Sequence, residues 1–273
     1  MNRRSPIALF ALAVLLLAGC YTNPVTGRKS LVLLSQGEEV TLGAQSFQAI
    51  REKEKVSTNA AANARVTRIG QRIAAAVGSE LPDAKWEFVV FESKELNAFA
   101  LPGGKVGVYT GLMQLAENDA ELAIVMGHEI GHVIARHGAE RMSEAMVIAG
   151  VGAIGSAAVE AKTDSSTRAL FDVAYGGVTT LGRVLPHSRA NETEADRMGA
   201  IYAARAGYDP RASVTFWQKM MAEKQKASGG KSEGALSALF STHPADTKRI
   251  EDLKAMMPSV VPIYEKNRGK YSN

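Results

Sequence analysis

Residues 126–132 read MGHEIGH, two histidines four residues apart with a glutamate directly after the first. On a helix, His128 and His132 stand about 40° apart in projection and one turn above the other, so both imidazoles reach one ion at about 2.0 to 2.1 Å. Glu129 projects beside them, near enough to take a proton from a polarised water and offset enough not to bind the ion itself. The chemistry this spacing offers is metal-assisted hydrolysis. The apolar setting sharpens the reading: Leu122, Ile124, Val125, Met126, Ile130, Val133 and Ile134 make the segment hydrophobic nearly all round, the pattern of a buried helix. Ionisable groups buried in such a helix are costly unless a partner satisfies them.

A hydrolytic metal site needs a third protein ligand, and HSRANETEADRMGAIYAARAG, residues 187–207, offers two glutamates. Asp196 lies four residues after Glu192, on the same helical face, but two after Glu194, nearly opposite. A ligating histidine usually passes its second N–H to a carboxylate, so Glu192 and Asp196 together form a ligand and its supporting acid. Glu194 is expected to point away, a solvated charge near a helix start. Ala195, Gly199 and Ala203 are small, as are Gly127 and Gly131 on the histidine helix. Each helical glycine costs up to about 1 kcal/mol relative to alanine, a loss understood if the two helices approach closely there.

These residues need elements to hold them. Asn118, followed three residues later by Glu121, fits a capping box, so the histidine helix is predicted to begin there and run without proline through several turns. Upstream, Ser35 with Glu38 and Glu39 predicts another helix start, and Val66, Ile69, Ile73 and Val77 carry helical periodicity. At Gly78 the pattern changes. KWEFVVFE, 85–92, is aromatic and β-branched enough for a strand; NAFAL, 97–101, meets the turn signal Pro102-Gly103-Gly104, and KVGVYT continues as a further strand. The predicted fold is α+β, mainly helical, with a small sheet preceding the histidine helix.

The chain opens MNRRSPIALFALAVLLLAGC, in which Arg3 and Arg4 precede an apolar run, 7–18, too short to span a bilayer as a stable helix. Residues 1–19 read as an export signal, and Leu17-Ala18-Gly19-Cys20 is similar to a bacterial lipobox. Cys20 is the only cysteine, which excludes an internal disulfide and makes it the expected site of lipidation. Two or more acyl chains there give stable membrane anchoring. Tyr21 after the cysteine resembles the outer-membrane sorting class. The expected location is therefore the outer membrane, lipid-anchored and facing the periplasm, with 20–55 as the lipidated segment and first helix. Without Arg3 and Arg4 the formal charge falls from +4 to +2, and nothing in the charge pattern points to nucleic acid.

HEIGH together with NETEAD, NAFALPGG upstream and THPADTKRI downstream closely resembles the M-forty-eight zinc metallopeptidases, the group of HtpX and the CAAX prenyl proteases. The lipobox and NPVTGRKSL narrow the resemblance towards LoiP-like outer-membrane lipoprotein peptidases. The resemblance implies a gluzincin fold over 56–273, with one Zn2+ per chain held by His128, His132 and Glu192. It implies Glu129 as the proton carrier in peptide-bond hydrolysis, and a sheet edge along the substrate cleft where Asn97, Ala98, Phe99 and Ala100 meet an extended peptide. For His243 it implies one of two roles, stabilising the oxyanion or occupying the open zinc position as a self-inhibiting plug, and these predict opposite mutant effects. The implied substrates are unfolded or misfolded outer-membrane proteins in quality control, with the outer-membrane assembly machinery as a further partner. The alternative is a chaperone-like assembly factor that binds unfolded chains with little proteolysis, although a pure binding module has no need of Glu129.

Other residues fall outside this set. His137, about 140° round a continuous helix from His132, and His187, in a polar stretch, are expected at the surface or in a second layer. Residues 145–158 are apolar and glycine-rich but too few for a span, so a packed or interfacial helix is expected. The segment 164–190, which separates the two metal motifs and holds a Gly-Gly pair, is expected to act as a flexible lid.

Overall fold

The computed structural model describes residues 20–148, 165–174, 188–228, 243 and 247–271. Two short strands, β1 (Cys20–Thr22) and β2 (Lys29–Leu31), pair antiparallel around the NPVTG turn, with Tyr21 opposite Ser30. The turn is set locally: Asn23 Oδ1 accepts from the main-chain N–H of Val25 at 2.9 Å and of Thr26 at 3.3 Å, an Asx turn.

Caps place the next helices. Ser35 Oγ accepts from Glu38 N while the Glu38 carboxylate accepts from Ser35 N, the reciprocal box that starts α1 (Gln36–Lys53). Asn59 caps α2 (Ala60–Val77). The sheet follows, β3 (Glu87–Phe91), β4 (Ala98–Leu101) and β5 (Lys105–Tyr109), in the spatial order β3-β5-β4. β5 runs parallel to β3 and antiparallel to β4, which among the described residues leaves β4 at an edge. The β4–β5 connection uses Gly103 and Gly104 at φ 85 and 80°, a conformation side chains resist.

Alternation along the strands sorts the core into two layers. Ala98, Ala100, Val90, Val106 and Val108 face the larger cluster, built from α2, α4 (Asp119–Ile134), α7 (Arg189–Arg205), α8 (Ala212–Ser228) and α9 (Thr247–Asn267). Phe91, Phe99, Leu101 and Tyr109 face the other way, onto α1, α5 (His137–Ile148) and α6 (Ser165–Ala174). The short α3 (Thr110–Leu115) links β5 to α4.

The architecture is the α+β, mainly helical one expected, and α4 lies at its centre, buried from Glu121 onwards and capped by Asn118. Of the apolar segment 145–158, only the first four residues are described, as the end of α5. The expected lid is described only at α6 and at residues 188–190; His187 and the rest of it lie outside the described residues. Among the described residues no helix is long and apolar enough to cross a membrane.

Candidate metal centre

α4 and α7 cross with their main chains nearly touching. A Cβ on Gly127 would meet Gly199 O at 2.9 Å, one on Gly199 would lie 2.7 Å from His128 N, and one on Gly131 would lie 3.2 Å from Ala195 O. The small residues predicted to permit a close crossing do so. This approach carries Glu192, in the first turn of α7, onto the two histidines of α4. His128 Nε2 and His132 Nε2 are 3.0 Å apart, and Glu192 reaches 3.2 Å from the second and 3.5 Å from the first. His243 Nδ1 lies 3.0 Å from Glu192 Oε1 and 3.3 Å from His128 Nε2. One donor atom from each of these four buried residues lies within 4.8 Å of the others.

The second ring nitrogen of each helical histidine is engaged. His128 Nδ1 lies 2.9 Å from Asp196 Oδ1, the pairing predicted from spacing. Asp196 is itself gripped from α9: Arg249 donates Nε to Oδ2 at 2.6 Å and Nη2 to Oδ1 at 2.7 Å, while Nη1 lies 2.7 Å from Glu192 Oε2. The guanidinium stacks 3.5 Å from the Trp217 ring centre. Sequence reasoning missed Arg249. It lies inside THPADTKRI, but no local pattern marks a partner on a helix 53 residues away.

His132 Nδ1 lies 2.8 Å from His137 Nδ1, and His137 Nε2 lies 2.8 Å from Glu194 Oε2. Of the two places expected for His137, surface or second layer, it takes the second, at 0% exposure. The helical projection did not apply, because α4 ends at Ile134, Arg136 adopts φ 57°, and α5 begins at His137. The expectation that Glu194 is a solvated charge is corrected: it is buried, and faces Asn23, Thr26 and Arg28 of the β1–β2 turn. A helical wheel sees only its own helix, and this covering layer comes from the start of the chain.

The charges fit a cation. Burial would lift the carboxyls of Glu192 and Asp196, yet the neighbouring His243 imidazole and Arg249 guanidinium for Glu192, and Arg249 for Asp196, hold the first well below the usual range and the second below it. Burial would equally depress His128, but Asp196 and Glu192 outweigh it and raise the ring to about 9. Two carboxylates therefore demand positive charge beyond the one guanidinium, to be met by a proton on His128 or a metal ion. The ring geometry also accommodates the ion. With Nδ1–H of His128 directed at Asp196 and Nδ1–H of His132 at His137, the two Nε2 atoms, 3.0 Å apart, would both turn lone pairs to it. Donors about a tetrahedral zinc stand roughly 3.3 Å apart, so the donor set and its spacing suit that metal.

Glu129 is buried beside this set, its Oε1 3.5 Å from His243 Nε2. Burial pushes its carboxyl up, with His243 and His128 opposing, a direction that suits a proton acceptor. Ile124, Val125, Phe216 and Trp217 line a small apolar cavity that opens onto Glu129, His128 and His243.

The predicted edge segment divides. Among the described residues β4 pairs on one side alone, and Asn97 O accepts from Tyr109 N at 3.0 Å. Ala98, Phe99 and Ala100 are buried, and Phe99 packs among Phe47, Phe91 and Tyr109 at ring distances of 6.2, 6.0 and 6.3 Å. Strand alternation turns the Phe99 side chain to the opposite face of the sheet, so any part it takes in binding an extended peptide falls to its main chain. Only the main chain of β4 is left to pair with a peptide. Cys20 is exposed at the first residue of β1.

Comparison with known proteins agrees with this geometry. The model of Peptidase family M48 matches residues 60–257. The mitochondrial metalloendopeptidase OMA1 of Saccharomyces cerevisiae is 31% identical over 93% of this chain and 76% of its own length. That of Schizosaccharomyces pombe is 35% identical over 71% of this chain and 52% of its own. The beta-barrel assembly-enhancing protease of Escherichia coli is 28% identical over 89% of this chain and 50% of its own. This chain thus spans about three quarters of the first relative and about half of the other two.

These matches overturn one expectation. The location read from the N-terminal residues, lipid-anchored at an outer membrane and facing the periplasm, does not stand against two relatives above 30% identity that are mitochondrial enzymes by name. Basic residues before a short apolar run are a composition shared by more than one translocation route, so they do not specify an address by themselves.

Proposed function

This chain belongs to peptidase family M48, and from that premise we propose that it is a zinc metalloendopeptidase acting on unfolded or misfolded membrane proteins in quality control. The observation that carries the reading is the convergence of His128, His132 and Glu192 with Glu129 beside them, in the burial and spacing that hydrolysis requires.

His128, His132 and Glu192 are the residues that would hold the metal. Zinc, when bound, acts as a Lewis acid on the scissile carbonyl and makes water a better nucleophile near neutral pH. Glu129 takes the proton from the attacking water and delivers it to the leaving amine. Asp196 orients His128, and Arg249 keeps both Asp196 and Glu192 ionised. The main chain of β4, whose outer edge is unpaired among the described residues, offers hydrogen bonds to an extended substrate, with Asn97 leading into the strand. His243, set as a fourth donor against Glu192 and His128, favours the plug over the oxyanion role in this closed arrangement.

The name of the assembly-enhancing relative directs the substrate class towards β-barrel precursors. The test is to offer the full chain an unfolded β-barrel protein and the same protein folded in detergent, with and without chelator. Chelator-sensitive cleavage confined to the unfolded form supports the reading. Stable, zinc-independent binding of the unfolded form with no cleavage favours the assembly-factor alternative.

A further inference from the structure

The metal-centre reading leaves open what fixes His132, whose supporting partner is not a carboxylate but a second imidazole. We propose that the β1–β2 turn is a clamp for the metal centre: Asn23, Thr26 and Arg28, acting through Glu194 and His137, hold His132 with its proton on Nδ1 and its Nε2 lone pair turned to the site. This inference rests on the metal-centre reading above.

The geometry runs in one direction. Glu194 Oε1 accepts from Asn23 Nδ2 at 2.9 Å and from Thr26 Oγ1, and Oε2 accepts from Arg28 Nε at 2.5 Å. Two of these partners cannot reverse. Arg28 can only donate. The Asn23 amide is oriented by its own Oδ1, which accepts from Val25 N and Thr26 N, so its Nδ2 faces Glu194. A carboxylate ringed by donors has only acceptance to offer its remaining neighbour. A neutral His137 must therefore donate Nε2–H across 2.8 Å and present Nδ1 as a lone pair. His132 in turn donates Nδ1–H across 2.8 Å, which leaves Nε2 bare and directed at His128 and Glu192.

The turn is anchored against rotation as well. Arg28 grips Glu140 of α5 with Nη1 and Nη2 at 2.8 and 2.7 Å. Tyr21 OH donates to the main-chain oxygen of Ile134, the last residue of α4, at 2.6 Å. The hairpin thus ties together α4, α5 and α7, the elements that carry His132, His137 and Glu194. Arg28, Glu194 and His137 are positioning residues; none reaches the reacting atoms.

A hairpin that merely stapled the fold would stabilise it without setting the proton on His132, and the two accounts part in a double-mutant cycle. In the full chain, zinc affinity is measured by competition with a chelating dye for wild type, Arg28→Met, His137→Phe and the double variant, with thermal unfolding of each. The ring nitrogens of His132 are read by 15N NMR in the metal-free state. The clamp predicts a wild-type His132 with its proton on Nδ1. It predicts zinc affinity about tenfold weaker in each single variant, at the low end of the roughly 10 to 100-fold expected for lost outer partners, and a double variant no weaker than His137→Phe alone. Glu194→Gln, whose amide oxygen still accepts from His137, keeps most of the affinity. Cleavage falls through kcat with KM little changed. Losses that multiply in the double variant, or an Arg28→Met chain with unaltered zinc affinity, overturn the clamp. Should Arg28→Met unfold, Thr26→Val removes one donor to the same carboxylate: a several-fold loss is expected, and none overturns the proposal. Absence of zinc uptake by the wild type would sink the metal-centre reading itself, and the ring signals would then decide alone, a proton on His132 Nε2 overturning the clamp.

Discussion

Gly199 and His128 sit in main-chain contact: a Cβ on Gly199 would lie 2.7 Å from His128 N and 2.9 Å from its Cα. The candidate metal site is thus assembled by backbone approach, which fixes the donors of α4 and α7 relative to one another. Gly199→Ala must push the helices apart. The expected cost is about 1 to 3 kcal/mol of stability, measured by urea unfolding, with metal uptake weakened because Glu192 moves with α7.

Arg249 and Asp196 predict an asymmetric pair of variants. Arg249→Met leaves Asp196 and Glu192 buried without their guanidinium, which is expected to destabilise the chain by about 3 to 5 kcal/mol. Asp196→Asn keeps the volume and removes one charge, so its main effect is on zinc affinity, roughly 10 to 100-fold, through the loosened His128. Unfolding curves with metal titrations on the same preparations separate the two.

Asp119 opens α4 and accepts from Arg65 Nε at 2.8 Å and Arg68 Nη2 at 2.7 Å. Burial alone would raise its carboxyl, but the two arginines outweigh it and hold it below the ordinary value. A depressed carboxylate stabilises the fold above its unfolded pKa, about 3.9, and the contribution is lost as pH falls through the lower folded value. Wild type and Asp119→Asn are therefore expected to differ in stability near pH 7 by less than about 1 kcal/mol, since the pair is partly exposed. The difference closes below the folded pKa. A gap that widens towards acid would contradict the assignment.

His243 stands against Glu192 and His128 as a fourth donor. Removing it by His243→Ala is expected to speed cleavage of an unfolded protein while leaving zinc bound. Slower cleavage would make the imidazole an oxyanion donor instead.

What the sequence made legible was local. The caps at Ser35 and Asn118, the pairing of Glu192 with Asp196 four residues on, and the small residues of the α4–α7 crossing all follow from neighbours on one helix. Glu194 and Arg249 were beyond such reasoning, because their partners lie on other elements, Thr26 168 residues from Glu194 and Asp196 53 residues from Arg249. For His137 the wheel left surface and second layer open, and what decides between them is the break at Arg136, whose positive φ has no signature in its residue type. The edge position of β4 follows from the parallel pairing of β3 with β5, and strand alternation on that edge explains why Phe99 faces the core.

The proposed hydrolysis rests on Glu129 moving the proton where His128, His132 and Glu192 would hold zinc. The most direct measurement is the zinc content of wild type and Glu129→Gln, with the rate at which each cleaves casein. One zinc per chain is expected in both, with cleavage by the variant reduced about 10² to 10⁴-fold. A Glu129→Gln chain that cuts at the wild-type rate, or a zinc-loaded wild type that does not cut, would contradict it.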